Sequence, residues 1–355
     1  MKIFIVTQTF PPKIGGMQAV MKSLAEELNN FYKIIVLPNH YLTKEIKLRK
    51  KITIFNSFLP KILKPFYKKI VISFLVEEDD IFICDSWKSL NAIPKKIKNN
   101  IYVLAHGQEY LNEKNSHKIK NYLKRVKGCI SNSNYTKELA AKFTGSNTRH
   151  FVIHPTYMLP NSIFKKIYKK EDELKFITIS RIETRKGLME SLRVFNDIYK
   201  SYRHLKFTWN IIGNGPLLDT MKTYVHNNQL NKMIKFHGYL NEKDKNKLLE
   251  ESNIFIMPSY HHKNSVEGFG IVYAEAARYG LPSIAGIDGG VIDAVNKKNG
   301  WNINPRDTIK FKSLILILLK DHKKVFSKGI NAQQIYLTKF SKKNSLADLI
   351  KVMNS

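Results

Sequence analysis

Short apolar runs rich in β-branched residues alternate along the chain with longer stretches whose apolar positions recur every three or four residues. That alternation predicts strands and helices in turn. Strands are expected at residues 2–7, 33–37, 52–55, 81–84, 101–104, 128–131 and 151–153. A polar, lysine-rich linker follows at 155–172, and the pattern resumes with strands at 174–179, 207–212, 233–236, 254–257 and 282–285. Strands separated by helices form right-handed βαβ units and parallel sheets. The expected architecture is therefore α/β, with two doubly wound, Rossmann-like domains at residues 1–160 and 173–325. From Phe311 onwards only helical periodicity remains, and residues 326–355 are read as C-terminal helices able to pack back on the first domain.

At 355 residues the chain is long enough for two domains with a core each. Its 43% hydrophobic and 25% charged residues are ordinary for a globular protein. The charge balance is not: 59 Lys and Arg against 29 Asp and Glu give +30, a field that favours acidic surfaces such as nucleic acid or anionic lipid. Lysine, isoleucine and asparagine are abundant throughout, so a general compositional bias accounts for the charge as well as a dedicated basic surface does. Cys84 and Cys129 stand in separate apolar stretches without CxxC or Cys/His spacing, which argues against a disulfide framework and a zinc site; no metal is expected. The first apolar run is too short for a signal peptide, and no run reaches 18 uncharged apolar residues. A soluble or peripheral protein is expected.

Candidate chemistry gathers where strands run into glycines. Phe10-Pro11-Pro12-Lys13-Ile14-Gly15-Gly16-Met17 lies between the first strand and a helical pattern at Val20, Leu24 and Leu28. Gly15 and Gly16 let the backbone approach a ligand, and the helix N-terminus offers N–H groups to a phosphate, although the GxGxxG dinucleotide fingerprint is absent. His106 falls just past another strand, followed by Gly107. In the second half, Arg181-Ile182-Glu183-Thr184-Arg185-Lys186-Gly187 follows a strand, so Arg181 and Lys186 belong at the carboxyl edge of the sheet, where ligands bind in open α/β folds. Two fixed cations there suit a diphosphate leaving group. Gly213-Asn214-Gly215-Pro216 is read as shaping a turn, without a catalytic role. The most specific stretch is Val266-Glu267-Gly268-Phe269-Gly270-Ile271-Val272-Tyr273-Ala274-Glu275-Ala276. Glu267 stands in its glycine-rich loop and Glu275 on the helix that follows, both suited to accept hydrogen bonds from sugar or ribose hydroxyls.

Taken in order, these elements resemble the signature of GT-B glycosyltransferases of family 4 (group 1) over most of the chain. The likeness is closest to bacterial phosphatidylinositol mannosyltransferases and to capsule or lipopolysaccharide enzymes. The resemblance implies two Rossmann-like domains facing a central cleft, the first binding the acceptor and the second the nucleotide-sugar. It further implies retaining, metal-independent transfer of a hexose, mannose favoured, from a GDP- or UDP-linked donor, with no cofactor. Carried over residue by residue, it implies that Gly15 and Gly16 meet the donor phosphate, that Arg181 and Lys186 hold the diphosphate, and that Glu275 binds the ribose. Glu267, with Gly268, Phe269 and Gly270, would hold the hexose, and His106 would touch that hexose from the other domain. His106, Glu267, Arg181 and Lys186 form the expected catalytic set. In such retaining enzymes the leaving phosphate takes the acceptor's proton, so no separate base is required. Asn132-Ser133-Asn134-Tyr135-Thr136 also resembles a family stretch. His261-His262-Lys263-Asn264 and Arg278-Tyr279 depart from the family pattern and bear on sugar and acceptor identity.

Between residues 44 and 69, nine Lys/Arg (44, 47, 49, 50, 51, 61, 64, 68 and 69) face one acid, Glu45, interleaved with Phe58, Leu59, Ile62, Leu63, Phe66 and Tyr67. Such a stretch reads as an interfacial membrane surface carried by Lys61, Lys64, Lys68 and Lys69, the other reading being a core helix with a solvated lysine face. The expectation is a cytoplasmic protein, peripheral on the inner face of the cytoplasmic membrane, that glycosylates a lipid or saccharide acceptor in envelope glycan synthesis. One rival is a catalytically silent GT-B binding subunit, which has no need of intact Arg181, Lys186, Glu267 and Glu275. Another is a nucleotide-sugar epimerase, whose catalytic carboxylates are not evident. A nucleic-acid-binding protein is motivated by the charge alone, without a helix-turn-helix, zinc-finger or RRM-type element, so no nucleic-acid partner is expected.

Overall fold

Continuous apolar runs such as Ile3, Phe4, Ile5 and Val6 have no polar face to turn to water, so they form central parallel strands covered on both sides. The computed structural model describes residues 1–13, 15–39, 52–97, 100–164, 166 and 173–355. The chain divides into two compact units, Met1–Pro160 with Lys342–Ser355, and Asn161–Ser341.

In the first unit seven parallel strands are formed: β1 (Lys2–Val6), β2 (Lys33–Leu37), β3 (Ile52–Ile54), β4 (Ile81–Cys84), β5 (Ile101–Ala105), β6 (Gly128–Ser131) and β7 (Arg149–Val152). Their order is β3-β2-β1-β4-β5-β6-β7. Helices α1 (Gly16–Leu28), α2 (Lys64–Leu75), α3 (Ser116–Leu123) and α4 (Asn134–Ala141) lie between them in sequence. Direction of winding reverses between β1 and β4, which opens a crevice at the carboxyl ends of those strands. Phe4 and Phe82 stack at 4.9 Å in the core, and Cys84 and Cys129 are buried and not disulfide-bonded.

The second unit follows the same logic. It comprises β8 (Glu173–Ile179), α5 (Leu188–Ser201), β9 (Lys206–Ile212), α6 (Leu218–Asn227), β10 (Ile234–Gly238), α7 (Glu242–Glu251) and β11 (Ile254–Met257). Then come α8 (Ile271–Arg278), β12 (Ser283–Ala285), α9 (Val291–Ala294), β13 (Gly300–Asn302), α10 (Thr308–Lys320) and α11 (His322–Ile335). The sheet order is β10-β9-β8-β11-β12-β13, reversing between β8 and β11. All twelve expected strands form, within a residue or two at their ends; β13, three residues around Trp301, is an addition too short to carry a periodic signal.

The C-terminal helices divide between the units rather than acting as one block from residue 326. Helix α11 and the π-helical turn Tyr336–Phe340 stay with the second unit, while α12 (Lys342–Met353) joins the first. There Tyr102 Oη donates to Val352 O at 3.0 Å, and Lys342 Nζ lies 3.0 Å from Glu27 Oε1.

Helix α2 corrects the expected membrane surface. Lys64, Lys68 and Ile72, four residues apart, turn inward, so Lys64 and Lys68 are core residues and not part of a basic surface. Lys68 Nζ donates to Thr7 O at 3.0 Å, and burial lowers its pKa to about 8 against the attraction of Asp85. The reason is Asp85 itself, a buried carboxylate at the end of β4 that draws a cation into the core. Apolar side chains take the outer face instead: Phe58, Ile62, Phe66, Ile70 and Phe74 are exposed, Phe74 at 85%. Lys61 is exposed and Lys69 half-buried, while residues 44, 47, 49, 50 and 51 lie outside the described residues. Among the described residues no helix is long and apolar enough to cross a membrane.

Candidate functional site

The carboxyl edge of the second sheet gathers most of the predicted residues. After β8 the chain passes Arg181 and Glu183 into a single 3₁₀ turn, Thr184–Lys186, and then Gly187 at φ +70°. A Cβ on Gly187 would stand 2.3 Å from Pro258 O, so only glycine lets this turn close against the end of β11 and aim its two basic side chains together. Lys186 Nζ lies 2.5 Å from Glu267 Oε2, and Arg185 Nη1 lies 2.8 Å from the same oxygen. Arg185 Nε also meets Glu183 Oε1 at 2.9 Å.

Glu267 is thus a mostly buried carboxylate clamped on one oxygen by two cations. Burial alone raises its pKa, but the Lys186 ammonium and Arg185 guanidinium bring it down to about 2. Burial draws Lys186 downward in turn, opposed by the Glu267 charge. Oε1 of Glu267 takes no hydrogen bond among the described residues. Because the folded pKa lies below the ordinary 4.5, ionised Glu267 stabilises the unit fully above about pH 4.5, and the contribution, roughly 3 kcal/mol, is lost as pH falls through about 2. The stability gap between wild type and Glu267→Gln, read by urea unfolding, is expected to narrow steadily as the pH drops from about 5 towards 2.

Beyond Glu267 the loop runs through Gly268 and Phe269 to Gly270, which caps α8 at φ +83°. No side chain caps this helix and its first turn has no acid, so its positive end is left for a ligand. Tyr273 pins the helix to β11 by donating to Met257 O at 2.5 Å. Just over one turn in, Glu275 pairs through Oε1 with Lys245 Nζ at 2.8 Å. A second glycine loop closes over the site: Gly290 N donates to Glu267 O at 2.9 Å, and a Cβ on Gly289 would meet that oxygen at 2.5 Å.

The structure therefore brings together Lys186, Glu267, Gly268, Phe269 and Gly270, with Glu275 further along α8 on its own partner. Arg181 is 72% exposed and only 3.7 Å from Glu183, apart from the clamp. Sequence reasoning missed Arg185, Lys245 and the 289–290 loop. Gly289-Gly290 repeats the strand-glycines-helix pattern already used to pick Gly15 and Gly16, so that signal was present. The turn at residues 213–216 is structural, since a Cβ on Gly213 would lie 1.9 Å from Ser180 O. Arg278 is likewise structural: buried, with its guanidinium 4.6 Å from the Tyr279 ring centroid and bonded to its hydroxyl, and 3.3 Å from Ser162 Oγ.

In the first unit His106 directly follows β5, with Nε2 2.9 Å from Asp85 O. A carbonyl only accepts, so Nε2 carries the proton in this bond. Gly15 and Gly16 open α1, and nothing lies within 4 Å of a Cβ built on Gly16. Ser133 is an N-cap, accepting from Thr136 N at 3.1 Å, which gives the 132–136 stretch a structural explanation. Among the described residues no group of three or more His, Cys, Asp or Glu is placed to hold a metal ion.

Residues 161–334 match the family model "Glycosyl transferases group 1". The chain is 30% identical over 144 residues to a GDP-mannose-dependent monoacylated alpha-(1-6)-phosphatidylinositol monomannoside mannosyltransferase of Corynebacterium glutamicum, covering 40% of this chain and 37% of that protein. It is 24% identical over 136 residues to the putative colanic acid biosynthesis glycosyltransferase WcaL of Salmonella typhimurium, covering 38% and 33%. The chain thus spans little more than a third of the length of these curated relatives. Among solved structures, Anabaena HepE in complex with UDP superposes with a TM-score of 0.75 at 16% identity, covering 100% of both chains. WaaG, a glycosyltransferase involved in lipopolysaccharide biosynthesis, gives 0.69 at 14% identity over 99% of each chain. The fold they share with this chain is GT-B.

Proposed function

The chain belongs, through residues 161–334, to the group 1 glycosyltransferases, and on that premise we propose that it is a retaining, metal-independent hexosyltransferase of family 4. In this reading it moves mannose from GDP-mannose to a lipid-linked or saccharide acceptor of the cell envelope. The observation that carries the reading is Glu267: a buried, ionised carboxylate held by Lys186 and Arg185 through one oxygen, with the other unengaged beside the open end of α8. Oε1 accepts from a hexose hydroxyl, with the backbone of Gly268, Phe269 and Gly270 beside it. Arg181, which has an exposed guanidinium, and Lys186, which spends one of three donors on Glu267, face the diphosphate. Glu275 takes a ribose hydroxyl while Lys245 holds its other oxygen.

As the bond from sugar C1 to the diphosphate breaks, negative charge grows on the leaving oxygen and the fixed cations meet it. The acceptor oxygen bonds to C1 on the same face, and its proton passes to that leaving oxygen. In the first unit, His106 is proposed as a sugar contact and the Gly15-Gly16 backbone as a phosphate contact. A thermal-shift and turnover screen against GDP-mannose, UDP-glucose, UDP-galactose and UDP-N-acetylglucosamine, with EDTA present, tests the reading. Stabilisation and slow hydrolysis with GDP-mannose are expected; response to a UDP-sugar alone transfers the reading to that donor, and no response to any donor sinks it.

Peripheral membrane association belongs to the same proposal, carried now by the apolar stripe of α2. Ile62, Phe66, Ile70 and Phe74 share one exposed face with Phe58 nearby, too apolar to be left in water, and Lys61 and Lys69 supply charge for an anionic leaflet. The Phe66→Asp, Phe74→Asp double variant is expected to weaken binding to phosphatidylglycerol vesicles by at least about tenfold in a flotation assay, and Lys61→Glu by less.

A further inference from the structure

The residue that holds His106 belongs to a pair of buried charges for which the proposed chemistry has no use. Asp85, just past β4, is 3% exposed, and Lys68, on α2, is 1% exposed. Thr7, just past β1, links them: Lys68 Nζ donates to its carbonyl at 3.0 Å, and its hydroxyl lies 2.8 Å from Asp85 Oδ2. The same carboxylate takes Gln8 N at 2.7 Å and Ser89 Oγ at 2.5 Å. It thereby ties the end of β1 to the turn that follows β4. The backbone of Asp85 extends the tie to β5, the next strand in the sheet, because its carbonyl accepts from His106 Nε2 at 2.9 Å. The main chain of His106 is held separately, its N donating to Glu109 Oε1 at 2.7 Å.

Charge is a costly way to build such a joint. A neutral amide at 85 and an apolar side chain at 68 would fill the same space without desolvating two ions, so stability alone does not account for the pair. Burial lowers the pKa of Lys68 to about 8; Asp85 opposes that fall, and Lys64, one turn earlier on α2 with Lys13 close to it, deepens it. Cys84 beside it is kept a neutral thiol by its own burial. Lys68 therefore loses its charge as the pH rises just past neutrality, and Asp85 is then left without its counter-charge.

We propose that Asp85 and Lys68 are positioning residues for His106: the buried pair fixes the carbonyl that orients the imidazole, and discharge of Lys68 loosens the ring. With Nε2 donating to Asp85 O, Nδ1 carries the lone pair offered to a hexose hydroxyl. That His106 meets a hexose rests on the transferase reading; its hold by the pair does not.

Two measurements on the full chain test this. Nitrogen NMR of histidine-labelled protein reads the ring without any ligand, the His106 signal being assigned by its absence from His106→Gln. A single Nε2–H tautomer is expected at about pH 7, giving way to a mixture as the pH rises through about 8. Turnover of the donor found in the screen is expected to fall about tenfold over the same step. In Lys68→Met both readouts are expected to keep their high-pH values throughout, with no step. Asp85→Asn, which removes the other charge and keeps the shape, is expected to behave alike and decides the point if Lys68→Met does not fold. A His106 signal unchanged in the wild type from about pH 7 to about 9.5 overturns the proposal. So does a step that persists in folded Lys68→Met, because it then belongs to another lysine such as Lys64 or Lys186, both also lowered by burial. A ring that follows Lys68 in a protein that turns over no nucleotide-sugar keeps the hold on His106 and removes only the transferase reading.

Discussion

Replacing Glu267 by Gln is expected to lower the transfer rate by about 10³-fold while leaving the affinity for free nucleotide within about threefold. The amide keeps the shape of the side chain and removes the charge. Lys186 and Arg185 then share a neutral oxygen in a buried place, and the group proposed to orient the hexose becomes a weaker acceptor. Free GDP or UDP lacks the sugar, so its affinity separates two cases. A variant that loses sugar-dependent turnover but binds nucleotide places Glu267 at the hexose; one that loses both makes Glu267 a structural clamp for the 184–186 turn. Steady-state rates with the preferred donor, and calorimetry with its nucleotide, read the two quantities directly.

Gly286→Ala is expected to destabilise the second unit by about 3 kcal/mol or more and to abolish activity with it. Gly286 follows β12, and a Cβ there would lie 1.6 Å from Ser259 O and 2.7 Å from its carbonyl carbon, both backbone atoms at the end of the neighbouring β11. The clash has no flexible side chain to absorb it. Relief requires the loop after β12 to shift, and that loop carries Gly289 and Gly290 against the backbone of Glu267. Gly16→Ala is the contrast: nothing meets its Cβ, it opens a helix, and its stability is expected to change by about 0.5 kcal/mol or less. Urea unfolding of both variants, followed by tryptophan fluorescence and circular dichroism, checks the pair.

Strand positions were legible because buried parallel strands are written as continuous apolar runs, and each of the twelve expected ones forms. The site was legible in part. Lys186 and Glu267, picked from separate motifs for separate roles, prove to be ion-paired, and nothing in Arg181-Ile182-Glu183-Thr184-Arg185-Lys186 says which arginine turns towards the carboxylate. That choice is made by the 3₁₀ turn that Gly187 terminates, and it selects Arg185. Helix α2 was misread for a deeper reason. Both readings of this stretch, an interfacial basic surface and a core helix with a solvated lysine face, leave Lys64 and Lys68 in water, whereas the structure buries them with Ile72 and exposes Ile62, Phe66, Ile70 and Phe74. The buried Asp85 just past β4 favours a cation on the inner face, and that partner lies 17 residues beyond Lys68 in sequence.

The return of α12 to the first unit bears on how the protein is made. Residues 161–341 form a unit complete in themselves, inserted in the sequence of a unit whose last helix comes afterwards. On a ribosome the inserted unit can finish folding while the earlier one still waits for Leu349, Val352 and Met353 to cover its sheet and for Tyr102 to find Val352 O. The first unit, emerging earlier, therefore matures last, and through that interval the surface that α12 covers around Tyr102 stays exposed.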